Sequence, residues 1–304
     1  MNAFPPSLSD RFDTRADLPR ARQLVDPGRL AALLGNAPDV ILLEVGCGQH
    51  AAYEAAHIPG ACYLDTGELE RAPLFDKVDD TALLVLLLSH GIHHGATVVL
   101  YGRNPLAAAR AAHLMLYAGV TDVRLLDGGF ALWLQAGLPC ERGRARPRAL
   151  ARRFGAPFPR CPQYMTSIEG VRRHTAALVS VRTWSEFSGA SSGYSYIAAR
   201  GDIAGARWGR AGREGDVNSM SEYQHPDGRM LPAAAIARMW EKEAIVPGRA
   251  SVFYCGTGWR ASLAFCYAWL MGWDDISVYD GGWFEWSAEP DNPIVIRIAG
   301  SVAA

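Results

Sequence analysis

The residues best equipped for chemistry lie in one short run, Tyr254-Cys255-Gly256-Thr257-Gly258-Trp259-Arg260-Ala261-Ser262. A cysteine stands before two glycines and an arginine, at what reads as the entrance to a helix. Glycine reaches backbone conformations closed to other residues, so Gly256 and Gly258 allow a loop to turn successive N–H groups inward. Such a nest, capped by the N-terminus of the following helix, holds anions. A sulfur at its centre is favoured as the thiolate, and the same ring stabilises the terminal sulfur of a persulfide. Arg260 can meet an incoming anion or tie down loop carbonyls.

Spacing then selects among cysteine chemistries. Four residues separate Cys255 from Arg260, one fewer than in the phosphate-sized cradle of cysteine-dependent phosphatases. The smaller ring suits a single sulfur atom. A phosphatase remains the runner-up, separable by turnover of p-nitrophenyl phosphate. The other five cysteines, at 47, 62, 140, 161 and 266, show no zinc-type spacing with each other or with histidine. They are expected to be free, buried thiols in a reducing compartment, and neither metal nor cofactor is expected.

The 304 residues are 49% hydrophobic and 20% charged, with a formal net charge of −1. That balance gives no reason to expect nucleic acid or an acidic membrane surface as partner. The first residues contain no apolar leader, and the strongest apolar run, Ala82 to Ile92, is too short to span a bilayer. A cytoplasmic protein is the expectation.

An internal repeat supplies the elements that must position the cysteine. Val98–Trp133 lies over Ser251–Trp286 without a gap, at a constant offset of 153. Tyr101 meets Tyr254, Asp127-Gly128-Gly129-Phe130 meets Asp280-Gly281-Gly282-Trp283, and Gly102 stands where Cys255 would be. Upstream, the region around Val40–Val45 matches that around Ala177–Val181 if the second copy carries an insertion before Asp202. The expected organisation is a module at 22–140, a linker at 141–160 carrying seven arginines, and a second module at 161–298. In each copy short apolar runs alternate with helical patterns, which implies an α/β fold with a mainly parallel sheet and helices on both faces. Ligands bind beyond the carboxyl ends of such strands, where Cys255 falls.

These motifs together resemble the rhodanese family of sulfurtransferases over about Asp26 to Pro293. The resemblance rests on Tyr53–Asp65 and Val123–Pro139 in the first copy, and on Gly201–Trp208, Tyr254–Arg260 and Val278–Trp286 in the second. It implies a tandem protein whose first copy is inactive and whose second carries the nucleophile Cys255. Gly256, Thr257, Gly258, Trp259 and Arg260 would form the loop that binds persulfide and substrate. It also implies a ping-pong reaction with a small anionic sulfur donor and a thiol, cyanide or sulfur-carrier protein as acceptor. The Cys-Gly-Thr-Gly-Trp-Arg ending is similar to a bacterial subgroup of thiosulfate enzymes, whereas 3-mercaptopyruvate enzymes begin alike and end differently.

Two residues acquire roles only through that resemblance. Arg200 stands where mercaptopyruvate enzymes offer an arginine to the substrate carboxylate. Arg182 ends Ser180-Val181-Arg182, where the family often has Asp-x-Arg, so an acidic contact at the loop base is expected to be missing and Arg182 to make a structural ion pair. Because Arg260 borders the loop and Arg200 is placed by alignment alone, thiosulfate is the expected donor and 3-mercaptopyruvate the alternative. A second alternative is a non-catalytic module that docks a persulfide or sulfur-carrier partner. Tyr223 and His225, around the turn Pro226-Asp227-Gly228, are left between an overhang of the site and a plain polar turn.

Overall fold

The computed structural model describes residues 15–297 apart from positions 38, 147 and 174. The stretch up to residue 14 read for a leader, and residue 298 at the end of the second module, lie outside the described residues. The first copy runs β1 (Leu24–Val25), α1 (Pro27–Asn36), β2 (Ile41–Gly46), α2 (His50–Ala55), β3 (Cys62–Asp65), β4 (Glu70–Arg71), β5 (Asp76–Lys77), α3 (Asp80–Ser89), β6 (Thr97–Tyr101), α4 (Pro105–Ala118), β7 (Asp122–Leu126) and α5 (Gly129–Gln135). The second runs β8 (Met165–Thr166), α6 (Ile168–Arg173), β9 (Ala177–Ser180), α7 (Trp184–Ser188), β10 (Asp202–Ile203), β11 (Arg207–Trp208), α8 (Ala233–Glu241), β12 (Ser251–Tyr254), α9 (Trp259–Leu270), β13 (Ile276–Tyr279), α10 (Gly282–Ala288) and β14 (Ile294–Val295).

Each copy builds a five-stranded sheet, ordered β1-β7-β6-β2-β3 in the first and β11-β9-β12-β13-β8 in the second, and every pairing in both is parallel. The central strands β6 and β12 are the near-continuous apolar runs that a sheet covered on both faces requires. α4 opens on Pro105, capped by the Asn104 side chain, and stops at Gly119, whose φ of 98° glycine tolerates. The described residues of 141–160 carry no helix or strand and lie along the first copy, with Phe154 in its core and Arg160 bonded to the Ala118 carbonyl.

The copies meet through α4 and α9, so one apolar core spans both. His113 packs edge-on against Phe265, ring centroids 4.6 Å apart, and burial pushes that histidine down to about 4, with Arg110 adding to the shift. Each copy also lends the other an amide. The Lys77 N–H donates to Asp280 at 2.8 Å and the Met230 N–H to Asp127 at 2.8 Å. Both donors and both acceptors are related by the offset of the repeat, which makes the contact a near two-fold exchange.

Candidate active site

β12 lies between β9 and β13, and Cys255 follows at its carboxyl end. α9 begins behind Gly258, held at φ 90°, and its opening turn leaves amide N–H groups without intrahelical acceptors. The carbonyls of Cys255 and Gly256 are drawn back by the N–H groups of Trp283 and Phe284, at 2.7 and 3.1 Å. Those donors belong to the first turn of α10, so Asp280-Gly281-Gly282 is a buttress for the cysteine loop. A side chain at Gly282, φ 56°, would press on the Cys255 and Gly256 carbonyls at 2.6 and 2.7 Å. Gly129 stands against the Gly102 carbonyl in the same way in the first copy, which explains why both copies carry the motif.

Beneath the loop lies a buried chain of charges. Arg260, 1% exposed, donates from Nη1 and Nη2 to the two carboxylate oxygens of Glu186, each at 2.8 Å. Burial pushes the Glu186 carboxyl up, but Arg260 and then Arg182 overcome this and hold it at about 2. Glu186 also accepts the Thr183 N–H, completing the cap of α7. Arg182 is fully buried, 3.1 Å from Asp202, and donates to the Gly201 carbonyl at 2.7 Å. Asp202 also accepts from Ser180 at 2.7 Å and from the Tyr254 hydroxyl. The carboxylate expected to be missing from β9 is therefore supplied by β10.

Tyr194, from the insertion particular to the second copy, closes the loop from the other side. Its hydroxyl accepts from Arg260 Nη2 at 2.6 Å and from the Gly256 N–H at 3.2 Å. Its ring occupies the space a side chain on residue 256 would need. Gly258 is a glycine for its φ; Gly256 is one because Tyr194 leaves no room.

Above Cys255 opens a cleft of about 500 Å³ between the copies. Cys47, Thr66, Gly67, Glu70, Ala72 and Phe75 of the first copy form one wall, and Tyr194, Tyr196, Val217, Asn218, Thr257, Trp259 and Arg260 of the second form the rest. Trp259 is fastened across the boundary, its indole N–H shared by the two Glu70 carboxylate oxygens at 2.9 and 3.0 Å. Arg110 donates to Glu70 at 2.7 Å and also pairs with Asp280. Burial raises the Glu70 carboxyl, and Arg110 opposes that rise. Burial raises the Tyr196 phenol, which lines the cleft together with Thr257.

The six residues from Cys255 to Arg260 thus gather at one strand end, while other sequence expectations fare differently. Arg200 is exposed and does not line the cleft. Arg260 borders the cleft, but its guanidinium is paired with Glu186 and not with loop carbonyls. Tyr223 is fully buried, bonded to the Gly209 carbonyl and to Trp240, and His225 lines a separate cavity with Asp127 and Arg15, so their loop roofs the first copy. All six cysteines are free, but burial holds only for Cys255 and Cys266; Cys47 and Cys140 are exposed, Cys62 and Cys161 half-buried. Sequence reasoning missed Glu186, Tyr194, Glu70 and Phe75. The Thr183-x-x-Glu186 cap and the one-sided insertion were the available signals for two of them.

No helix among the described residues is long and apolar enough to cross a membrane. The pattern of the rhodanese-like domain matches the chain twice, over residues 26–136 and 168–289. The chain is 49% identical over 288 residues to thiosulfate sulfurtransferase YnjE of Escherichia coli, covering 91% of this chain and 66% of that relative, so it spans just under two thirds of the relative's length. The crystal structure of YnjE superposes with a TM-score of 0.89 over 93% of this chain and 70% of the other. An anaerobic ergothioneine biosynthesis enzyme from Chlorobium limicola, solved in complex with its natural substrate trimethyl histidine, is 36% identical with a TM-score of 0.86, covering 93% of this chain and 72% of that one. Sulfur carrier protein TtuD of Thermus thermophilus is 30% identical over 260 residues, covering 82% of this chain and 88% of the relative. Two matched copies, two parallel five-stranded sheets and a loop cysteine at one strand end lead to a single conclusion: the chain belongs to the rhodanese family.

Proposed function

We propose that the chain is a sulfurtransferase in which Cys255 carries a sulfane sulfur between thiosulfate and a thiophilic acceptor. The observation that carries this reading is the placement of Cys255 at the end of β12, beneath the buttressed glycine loop and on the wall of a cleft, while Gly102 holds the same place in the first copy. Similarity to a relative named thiosulfate sulfurtransferase supports the donor. The exposed position of Arg200, away from the cleft, takes support from the 3-mercaptopyruvate alternative. The loop residues Gly256 to Arg260 bind the persulfide, and six free thiols fit a reducing, cytoplasmic setting. We place the module boundaries at 22–140 and 161–298, with 141–160 as the linker.

In the first half-reaction the Cys255 thiolate attacks the outer sulfur of thiosulfate. The sulfur–sulfur bond breaks and its electron pair leaves with sulfite. The resulting persulfide anion is met by the loop N–H groups and the opening turn of α9. In the second half-reaction an acceptor attacks the outer sulfur and the electron pair returns to Cys255 Sγ. Arg260 acts by holding the loop against Glu186. Initial rates with thiosulfate and cyanide should give parallel double-reciprocal lines, the ping-pong signature. Intersecting lines would overturn the persulfide route, and loading without turnover would favour a docking module.

A second reading concerns the acceptor. Among the described residues lining the cleft, the one cationic side chain is Arg260, already paired, whereas Phe75, Tyr194, Tyr196 and Trp259 supply aromatic surface. An organic acceptor with a flat or heteroaromatic group fits these walls better than a compact anion. The likeness to an enzyme solved with trimethyl histidine supports this reading. Persulfide consumption by imidazole-bearing acceptors, followed by mass, tests it.

A further inference from the structure

Phe75 stands at the turn between β4 and β5, in the copy without the loop cysteine, with a φ of 60°. A bulky side chain rarely takes that left-handed conformation, and a residue held there points to a constraint with a purpose. The second copy supplies the control. Its equivalent turn lies between Gln224 and Met230, and Met230 is anchored on Asp127 as Lys77 is on Asp280. Two residues before each anchoring amide stand Gly228, φ 83°, and Phe75. Over the loop that lacks a cysteine the left-handed position is glycine, and a side chain there would meet the Gly128 backbone at 3.5 Å. Over Cys255 the same conformation is kept with a phenylalanine.

That ring is not packed away. It is 36% exposed, lines the cleft, and meets Tyr196 with ring centroids 5.7 Å apart at 57°. Tyr196 continues the row to Tyr194 at 5.4 Å and to Phe284 at 5.6 Å. The first copy thus reaches across the boundary and joins its ring to a tilted aromatic row on the cleft that Cys255 also lines.

We propose that Phe75 is a specificity-determining residue for the sulfur acceptor, forming with Tyr196 an aromatic wall for acceptors that carry a flat apolar group. The inference rests on the reading of Cys255 as sulfur carrier. An aryl thiolate stacked on that wall attacks the outer persulfide sulfur. The bond to Sγ breaks, Sγ keeps the electron pair as the thiolate, and the product is the aryl persulfide anion. Aromatic pairs of this kind are worth roughly two- to tenfold in binding.

The test compares wild type, Phe75→Gly and Phe75→Tyr with thiosulfate as donor and thiophenol or cyanide as acceptor. The readout is the ratio of kcat/KM for the two acceptors, from which their intrinsic reactivities cancel between proteins. Phe75→Gly should lower the thiophenol-to-cyanide ratio by roughly fivefold, through KM for thiophenol, with a Tm at or above wild type because the strained φ is relieved. Phe75→Tyr should keep the ratio within about twofold. An unchanged ratio in Phe75→Gly, with Cys255 persulfide present in both proteins by intact mass, overturns the role of Phe75 in acceptor choice and leaves the sulfur-carrier reading standing. Failure of wild type to form that persulfide overturns both.

Discussion

Arg260 and Glu186 form a two-pronged ion pair under the cysteine loop, with both N–H···O distances at 2.8 Å and both residues almost completely buried. Removing one partner of such a pair strands the other charge in a medium that cannot solvate it, at about 3–5 kcal/mol. Glu186→Gln should therefore lower Tm on the order of 10 °C and slow persulfide formation, and Arg260→Lys should not substitute, because an ammonium cannot match both oxygens. Thermal unfolding followed by circular dichroism checks this; a wild-type Tm in Glu186→Gln would contradict it.

The carboxyls predict how stability follows pH. Glu186, held at about 2 against an ordinary 4.5, adds stability above the ordinary value and loses it as pH falls toward 2. Asp76 and Asp127 run the other way. Burial pushes each up to about 6; nearby Asp280 adds to the rise at Asp76, while the Met230 N–H and Arg15 oppose it at Asp127. Groups raised in this way are destabilising when ionised, so the share of stability that Asp76 and Asp127 contribute should rise as pH falls from 7 toward 4. His113, buried neutral and held down to about 4, contributes the opposite share below its ordinary 6.5. The difference in denaturant midpoint between wild type and Asp76→Asn across that range isolates the Asp76 share and tests its sign. Asp76→Asn should flatten the rise, and an identical profile in that variant would refute the assignment.

Gly256 and Tyr194 should be energetically coupled. Gly256→Ala drives a methyl into the Tyr194 ring, so it should destabilise the protein and displace the tyrosine from Arg260. Tyr194→Ala in the same chain opens the space, and the double variant should be more stable than the sum of single effects by about 1 kcal/mol or more. Additive effects in a double-mutant cycle would show that the ring does not set the glycine.

The repeat, the parallel sheets and the cysteine loop were legible because each is written in contiguous residues: β12, the loop and α9 occupy one run, and its shadow recurs 153 residues earlier. The partners of the loop were not, because they come from elsewhere in the chain. A buried guanidinium must find a carboxylate, but nothing local to Arg260 says that α7 will present it. Asp202 replaces an acid missing from β9 for the same reason. The hairpin that carries Glu70 and Phe75 has no repeat signature and no strong strand pattern, so the wall contributed by the first copy became visible only once α4 and α9 were seen to pack together.

Arg200 gives a prediction that separates alignment from geometry. It is exposed and outside the cleft, so Arg200→Ala should leave kcat/KM within about twofold for thiosulfate and for 3-mercaptopyruvate alike. Loss of a charge-assisted contact to substrate would instead amount to roughly tenfold to a hundredfold. A loss of that size with mercaptopyruvate would return Arg200 to the site and change the donor.

The central claim is that sulfur travels on Cys255. Incubation with thiosulfate, rapid quench, alkylation under non-reducing conditions and peptide mapping by mass spectrometry should place one added sulfur atom on the peptide that contains Cys255. It should place none on those containing Cys62, Cys140, Cys161 or Cys266, and Cys255→Ser should abolish both the added mass and thiocyanate production while keeping the wild-type circular dichroism spectrum. Cys47 is the informative comparison, since it is exposed and lines the same cleft. Added sulfur on Cys47 in a Cys255→Ser protein that still turns over would contradict the account.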